Sequence, residues 1–149
     1  MKFSVEKEDI IHQLQSLAAV ADKKQTLPIL SNVYMRCENN KLVLKSTDLE
    51  VELEFNCSVN TVQEGEITIP SKKVADIVRE LPEGTIKFEF NEDSGKMQVQ
   101  SSTGKYNLAT QVAGDFPDFD TVSCIFVSAV FNNSKVILKS KICILFLTP

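Results

Sequence analysis

The feature that most constrains the fold is a repeat, because the first 120 residues state one structural plan twice. The first copy opens with a strand pattern, Lys2-Phe3-Ser4-Val5, passes into a helical pattern from Lys7 to Ala21, and continues as three strand-like runs ending near Val59. The second opens at Glu66-Ile67-Thr68-Ile69-Pro70, runs a helix from Ser71 to Leu81, and closes with strand-like runs near 85–90, 97–101 and 105–112. A repeat of about 60 residues predicts one domain with internal pseudo-symmetry. The expected class is α+β: two pseudo-symmetric strand-helix-three-strand units, with helices on one face of antiparallel sheet.

Local patterns support each element. Ile10, Ile11, Leu14, Leu17, Ala18 and Ala21 recur at three- and four-residue steps, one apolar stripe for a sheet to cover. Pro28 keeps its predecessor extended, so a loop follows the first helix. From Leu49 to Val59 every odd position is apolar, which predicts one long strand with a buried and a wet face. On that pattern Glu50, Glu52 and Glu54 belong to the wet face rather than to a catalytic pair. Asn39-Asn40 reads as a hairpin turn, and Ser71 as the N-cap of a helix whose stripe is Val74, Ile77, Val78 and Leu81.

The totals and motifs exclude much. With 149 residues and 43% hydrophobic content the chain has material for a real core. The longest late apolar run, Ile142 to Leu147, is far shorter than the ~20 residues that span a bilayer, so a soluble, cytoplasmic protein is expected. The four cysteines, at 37, 57, 124 and 143, are too widely spaced for a redox or zinc motif and read as reduced structural thiols. No phosphate-cradling glycine motif or clustered ligand set occurs. His12, the only histidine, sits on the first helix without a nucleophile to serve. Catalytic residues, metal and cofactor are therefore all expected to be absent.

What remains is a set of cations at helix ends: Lys23 and Lys24 after the first helix, Lys72 and Lys73 at the start of the second, and Arg79 within it. One reading is ordinary solubilising charge. The other notes that equivalent ends of two copies share a face, and a local basic face on an acidic protein holds a phosphate backbone loosely.

Five ordered segments then resemble a known family. Thr26-Leu27-Pro28-Ile29-Leu30, Ser46-Thr47-Asp48-Leu49-Glu50, Ile69-Pro70-Ser71-Lys72-Lys73, Leu81-Pro82-Glu83-Gly84 and Gly114-Asp115-Phe116-Pro117 follow the spacing of the bacterial DNA polymerase III beta subunit, the sliding clamp. The resemblance spans residues 1–120 and covers the first domain only. It implies a ring of two head-to-tail subunits threaded by duplex DNA, with helices lining the hole and strands outside. It also implies a non-catalytic processivity factor whose partners are DNA polymerase III and the clamp loader, bound at a pocket in later domains. By position Lys24 matches a basic residue that touches DNA, with Lys23 beside it. Lys73 stands at the start of the second helix, close to the subunit boundary, and Lys72, Lys73 and Arg79 join Lys23 and Lys24 as candidate DNA-contacting residues. Tyr106 matches an aromatic of the dimer interface, with Lys105 and Ile77 as further interface candidates. The plain alternative for Tyr106 is a strand aromatic in a hydrophobic face.

The last 29 residues depart from the pattern, with three lysines and no acid, whereas the first 120 carry 13 basic against 20 acidic residues, a net −7. A boundary is expected near Asp115 to Val122, with Gly114 to Asp120 as an extended linker and residues 121–149 as the remnant of a second domain. Cys124 to Phe131 reads as a strand, and Asn132-Asn133-Ser134 as the cap of a helix opening at Lys135. The expectation is a truncated clamp whose tail is read out of frame, which translating the other two frames past codon 120 tests. The competing reading is a free-standing interaction domain that recruits a protein by strand addition at an exposed sheet edge.

Overall fold

The computed structural model describes residues 1–21 and 27–117, together with the backbone of 127–131 and 134–140. In chain order the elements are β1 (Lys2–Glu6), α1 (Lys7–Ala21), β2 (Asn32–Glu38), β3 (Lys41–Thr47), β4 (Val51–Ser58), β5 (Asn60–Gln63), β6 (Gly65–Pro70), α2 (Ser71–Glu80), β7 (Thr85–Asn91), β8 (Lys96–Gln100), β9 (Lys105–Ala109), β10 (Val127–Phe131) and β11 (Ser134–Ser140). The strands form two antiparallel sheets, ordered β5-β1-β7-β8-β9 and β10-β11-β4-β3-β2-β6.

The repeat closes by exchange. Each copy contributes a three-strand meander, β2-β3-β4 or β7-β8-β9, and each meander is extended by the first strand of the other copy. Thus β1 pairs with β7 from Lys2 opposite Glu89 to Glu6 opposite Thr85, and β6 pairs with β2 from Asn32 opposite Pro70 to Cys37 opposite Gly65. Neither copy completes a sheet alone, which makes the pair one folding unit. The outer strands β4 and β9 are equivalent under this pseudo-symmetry.

Packing follows the apolar stripes. Ile10, Leu14, Leu17 and Ala21 of α1 and Val74, Ala75 and Val78 of α2 are buried, and the two helices pack on each other and against strands. Across β1 and β7 the rings of Phe3 and Phe88 stack with centroids 4.9 Å apart. The start of α1 is tied to the end of α2: the Lys7 ammonium donates to the Leu81 carbonyl at 2.6 Å, and the Lys7 N–H to Gly84 O at 3.0 Å. Those bonds satisfy a carbonyl left free at a helix end.

The turns explain two of the motifs. Asn39 and Asn40 both have positive φ, 50° and 59°, the conformation that lets a two-residue hairpin match strand twist. Between β3 and β4 the Asp48 carboxylate accepts from the N–H groups of Glu50 and Val51, at 3.1 and 2.8 Å, while Leu49 takes φ 72°. The Thr-Asp-Leu-Glu segment is therefore a turn, and the strand expected from Leu49 begins instead at Val51.

Other expectations are corrected. Of the three glutamates, Glu50 is exposed, whereas Glu52 is 0% exposed and Glu54 is largely covered, 3.5 Å from the Lys45 ammonium. The reason is that β4 is flanked on both sides: Glu52 lies in register between Thr47 of β3 and Lys139 of β11. Ser71 is the first residue of α2, not its cap. Pro70 holds the cap position, and the Ser71 hydroxyl is buried. Residues 134–140, expected to cap and begin a helix, form strand β11 on β4; the β-branched Val136 and Ile137 suit that role. Of the segment Gly114 to Asp120, expected as an extended linker, the described part, residues 114–117, docks instead, and residues 118–120 lie outside the described residues. Gln111 bridges to Thr68, residues 113–115 make a 3-10 turn, and the Phe116 ring packs 5.6 Å from that of Tyr34. Strand β5, unforeseen, pairs with β1. The run Ile142 to Leu147 lies outside the described residues.

Candidate nucleic-acid interface

The helical face is built from two amphipathic elements whose buried sides fix what their outer sides present. On α1 the outer positions include Glu8, Asp9, His12, Gln15 and Ser16; on α2 they include Lys72, Lys73, Arg79 and Glu80. Lys72 and Arg79 are seven residues apart and share a side of α2. The Arg79 guanidinium lies 3.2 Å from both the Asp76 and Glu80 carboxylates. Lys23 and Lys24 lie outside the described residues.

Charge on this face is balanced: α1 carries Lys7 against Glu8 and Asp9, and α2 carries Lys72, Lys73 and Arg79 against Asp76 and Glu80. The balance is uneven in space. Both lysines stand in the first turn of α2, which holds no acid, at the helix end whose dipole disfavours cations. Stability alone selects the opposite arrangement. Lys72 and Lys73 are both exposed there, and Pro70 at the cap position supplies no side-chain hydrogen bond.

The second candidate surface is the β9 edge. Tyr106 is 41% exposed, Lys105 and Asn107 are exposed, and Leu108 is buried. Helix α2 packs against β9, which brings the half-buried Ile77 to the element next to Tyr106 and Lys105. What sequence reasoning missed is that β11 pairs with β4, the strand equivalent to β9 in the first copy.

On the sheet face away from the helices an open groove of about 740 Å³ is lined by Tyr34, Arg36, Lys45, Glu54, Glu66 and Phe116. Its charges answer one another: the Tyr34 hydroxyl donates to Glu66 at 2.6 Å and Arg36 donates to Glu38 at 2.5 Å. The Glu38 carboxylate raises the Arg36 pKa, first through that bond and then through its charge. Burial pushes the Cys37 thiol upward, so it is a packed core group rather than a nucleophile. Among the described residues there is no group of three or more potential metal ligands, and no helix is long and apolar enough to cross a membrane.

The fold defines an internally duplicated α+β domain in which each copy's first strand is exchanged into the other copy's sheet. Residues 1–120 match the family model described as DNA polymerase III beta subunit, N-terminal domain. The chain is 38% identical over 121 residues to the beta sliding clamp of Vibrio harveyi, covering 80% of this chain and 83% of that one. It is 37% identical over 118 residues to the beta sliding clamp of Pseudomonas putida, covering 78% of this chain and 32% of the relative. A crystal structure of the DNA polymerase sliding clamp from Caulobacter crescentus superposes with TM-score 0.79 and 30% identity, over 86% of this chain and 36% of the other. The DNA polymerase III subunit beta from Pseudomonas aeruginosa gives 0.78 and 34%, over 87% and 35%. This chain belongs to the DNA polymerase III beta subunit family, through that family's N-terminal domain. It spans about a third of the length of most of these relatives.

Proposed function

We propose that this chain supplies a DNA-facing and a subunit-joining surface of a sliding clamp, a non-catalytic factor of the cytoplasm that keeps DNA polymerase III on duplex DNA. Lys72, Lys73 and Arg79, with Lys23 and Lys24 beyond α1, are the groups assigned to phosphate contact. A face whose helices carry no net charge, with cations gathered at one helix end, attracts a backbone without gripping it. Such contacts carry no sequence information, which suits a protein that slides. Polymerase and clamp loader are assigned to domains outside this chain.

One observation carries the reading: β4 and β9 are equivalent outer strands, and β4 already takes an added strand. The β9 edge, with Tyr106 at its middle and Lys105 and Ile77 around it, has no added strand among the described residues. We assign it to a strand of a second subunit, so that sheets continue from domain to domain around a ring.

The test is a chimera in which residues 1–120 replace the N-terminal domain of the Pseudomonas aeruginosa subunit. Loaded on a nicked circle, it is expected to stay bound through a high-salt wash and to leave when the circle is cut. Equal loss from circular and linear DNA refutes the reading.

A further inference from the structure

The cation in the last turn of α2 is already engaged by its own helix. The Arg79 Nε donates to the Glu80 carboxylate at 3.2 Å, and Nη1 stands 3.2 Å from the Asp76 carboxylate. A guanidinium takes a phosphate through two parallel N–H bonds, from Nε with Nη2 or from Nη1 with Nη2. Each of those edges has one nitrogen taken, so a phosphate meets Nη2 alone unless it displaces a carboxylate. The three side chains are half or more exposed, which leaves that exchange open to DNA. Overlaying the two copies through their buried residues, Ile10 with Val74 and Leu14 with Val78, sets His12, Gln15 and Ser16 of α1 at the places of Asp76, Arg79 and Glu80. The arginine and both acids thus occur together in one copy, and none of them occurs in the other. Glu80 also stands at the helix end whose dipole disfavours an acid, and adjacent residues do not face each other along a helix. Helix stability accounts for the Asp76–Arg79 pair but does not select the bond from Arg79 to Glu80.

We infer, resting on the DNA-facing reading of α2, that Asp76 and Glu80 are positioning residues that withhold Arg79 from the phosphate backbone and so limit how tightly this face grips duplex DNA. Each carboxylate offers the guanidinium what a phosphate oxygen offers, but from a fixed place on the same helix. Exposed pairs of this kind are weak, so a passing phosphate can still exchange with them. What they remove is most of the net gain of each contact. A face that slides needs contacts that form and break at little cost, and an arginine held on both edges supplies one.

Fluorescence anisotropy of a labelled DNA duplex, titrated with the 149-residue chain at low salt, tests it. Asp76→Asn with Glu80→Gln keeps the side-chain shapes and removes both charges. That variant is expected to bind about fivefold tighter, with a salt dependence steeper by about one phosphate contact. Arg79→Ala is expected to abolish the gain, and to cost more affinity in the neutralised chain than in the unaltered one. Glu92→Gln with Asp93→Asn makes the same charge change in the exposed turn between β7 and β8 and is expected to give less than about half of that gain. Urea unfolding follows the fold of each variant. A neutralised chain that binds no tighter than the unaltered one overturns the inference. So does a gain matched by the β7–β8 turn variant, or one that survives Arg79→Ala. The DNA-facing reading fails separately, by Lys72→Ala with Lys73→Ala leaving duplex binding unchanged.

Discussion

Gln111 and Thr68 hold each other by both backbone positions: the Gln111 N–H donates to Thr68 O at 3.0 Å, and the Thr68 N–H donates to Gln111 O at 3.1 Å. This single bridge is the second copy's counterpart of the β5–β1 pair, since each joins the residues past a meander to the first strand of the same copy. The buried Asn32 amide on β2 completes it, donating to Gln111 Oε1 at 2.8 Å and to Thr68 Oγ1 at 3.2 Å.

That clasp predicts a non-additive pair of variants. Asn32→Ala strips two hydrogen bonds from a buried site and is expected to cost about 2 kcal/mol, while Gln111→Ala keeps the backbone bridge and costs about 1 kcal/mol. Because the two share one bond, the double variant is expected to cost little more than Asn32→Ala alone. Urea unfolding of the four proteins measures this, and fully additive losses would show that the clasp is not a unit.

The Asn39-Asn40 turn predicts opposite outcomes at neighbouring positions. Asn40 accepts the Thr61 N–H at 3.1 Å and sits at φ 59°, so Asn40→Ala loses a bond and strains the backbone, about 2 kcal/mol in all. At Asn39 the Glu64 carboxylate is met by the backbone N–H, which any residue supplies. Asn39→Gly is therefore expected to stay within about 0.5 kcal/mol of the unaltered chain, or to stabilise it. Equal losses at the two positions in urea unfolding contradict this account.

How much of this was legible in the sequence depends on how local each cause is. The helices were, because Ile10, Leu14 and Leu17, or Val74 and Val78, carry their period within a few residues; α1 runs over Lys7–Ala21 as expected and α2 ends at Glu80. Buried alternation in β4 was read correctly for Leu53, Phe55 and Cys57, yet Glu52 misled because its burial depends on neighbouring strands. Strand β5 has no alternation of its own and exists because β1 offers it a ladder. The Gln111 clasp, 43 residues from Thr68, leaves no local signal at all. For the candidate site, the helix-end lysines were legible as a pattern, whereas the meaning of the β9 edge depends on β11.

Cys37 predicts a pH dependence. Burial raises its thiol above the ordinary 9.0, with the Thr61 hydroxyl at 3.1 Å as a weaker opposing influence. A raised folded-state value means the stabilisation is fully present below the unfolded value and is lost as pH climbs towards the folded one, since only the unfolded chain then releases the proton. The limit is about 1.4 kcal/mol per pH unit. The stability difference between the unaltered chain and Cys37→Ala is expected to be constant from pH 6 to about 8 and to shrink above about 9. A difference that stays flat up to pH 10.5 rejects the assignment.

Tyr106 separates a role in folding from a role in joining subunits. Its ring lies over Gly104, its nearest atom 3.5 Å from where a Cβ would stand there, and the residue remains 41% exposed, so little of the core rests on it. In the 149-residue chain Tyr106→Ala is expected to change stability by no more than about 0.5 kcal/mol. In the chimeric ring the same change removes an aromatic from the middle of the joining edge. The expected loss there is about 2 kcal/mol, roughly thirtyfold in the dissociation constant. Tyr106→Phe keeps the ring and is expected to retain most of the affinity. Urea unfolding of the chain and sedimentation of the chimera provide the two readings. If the chain loses as much as the ring does, Tyr106 is an ordinary strand aromatic and not an anchor of a joining edge.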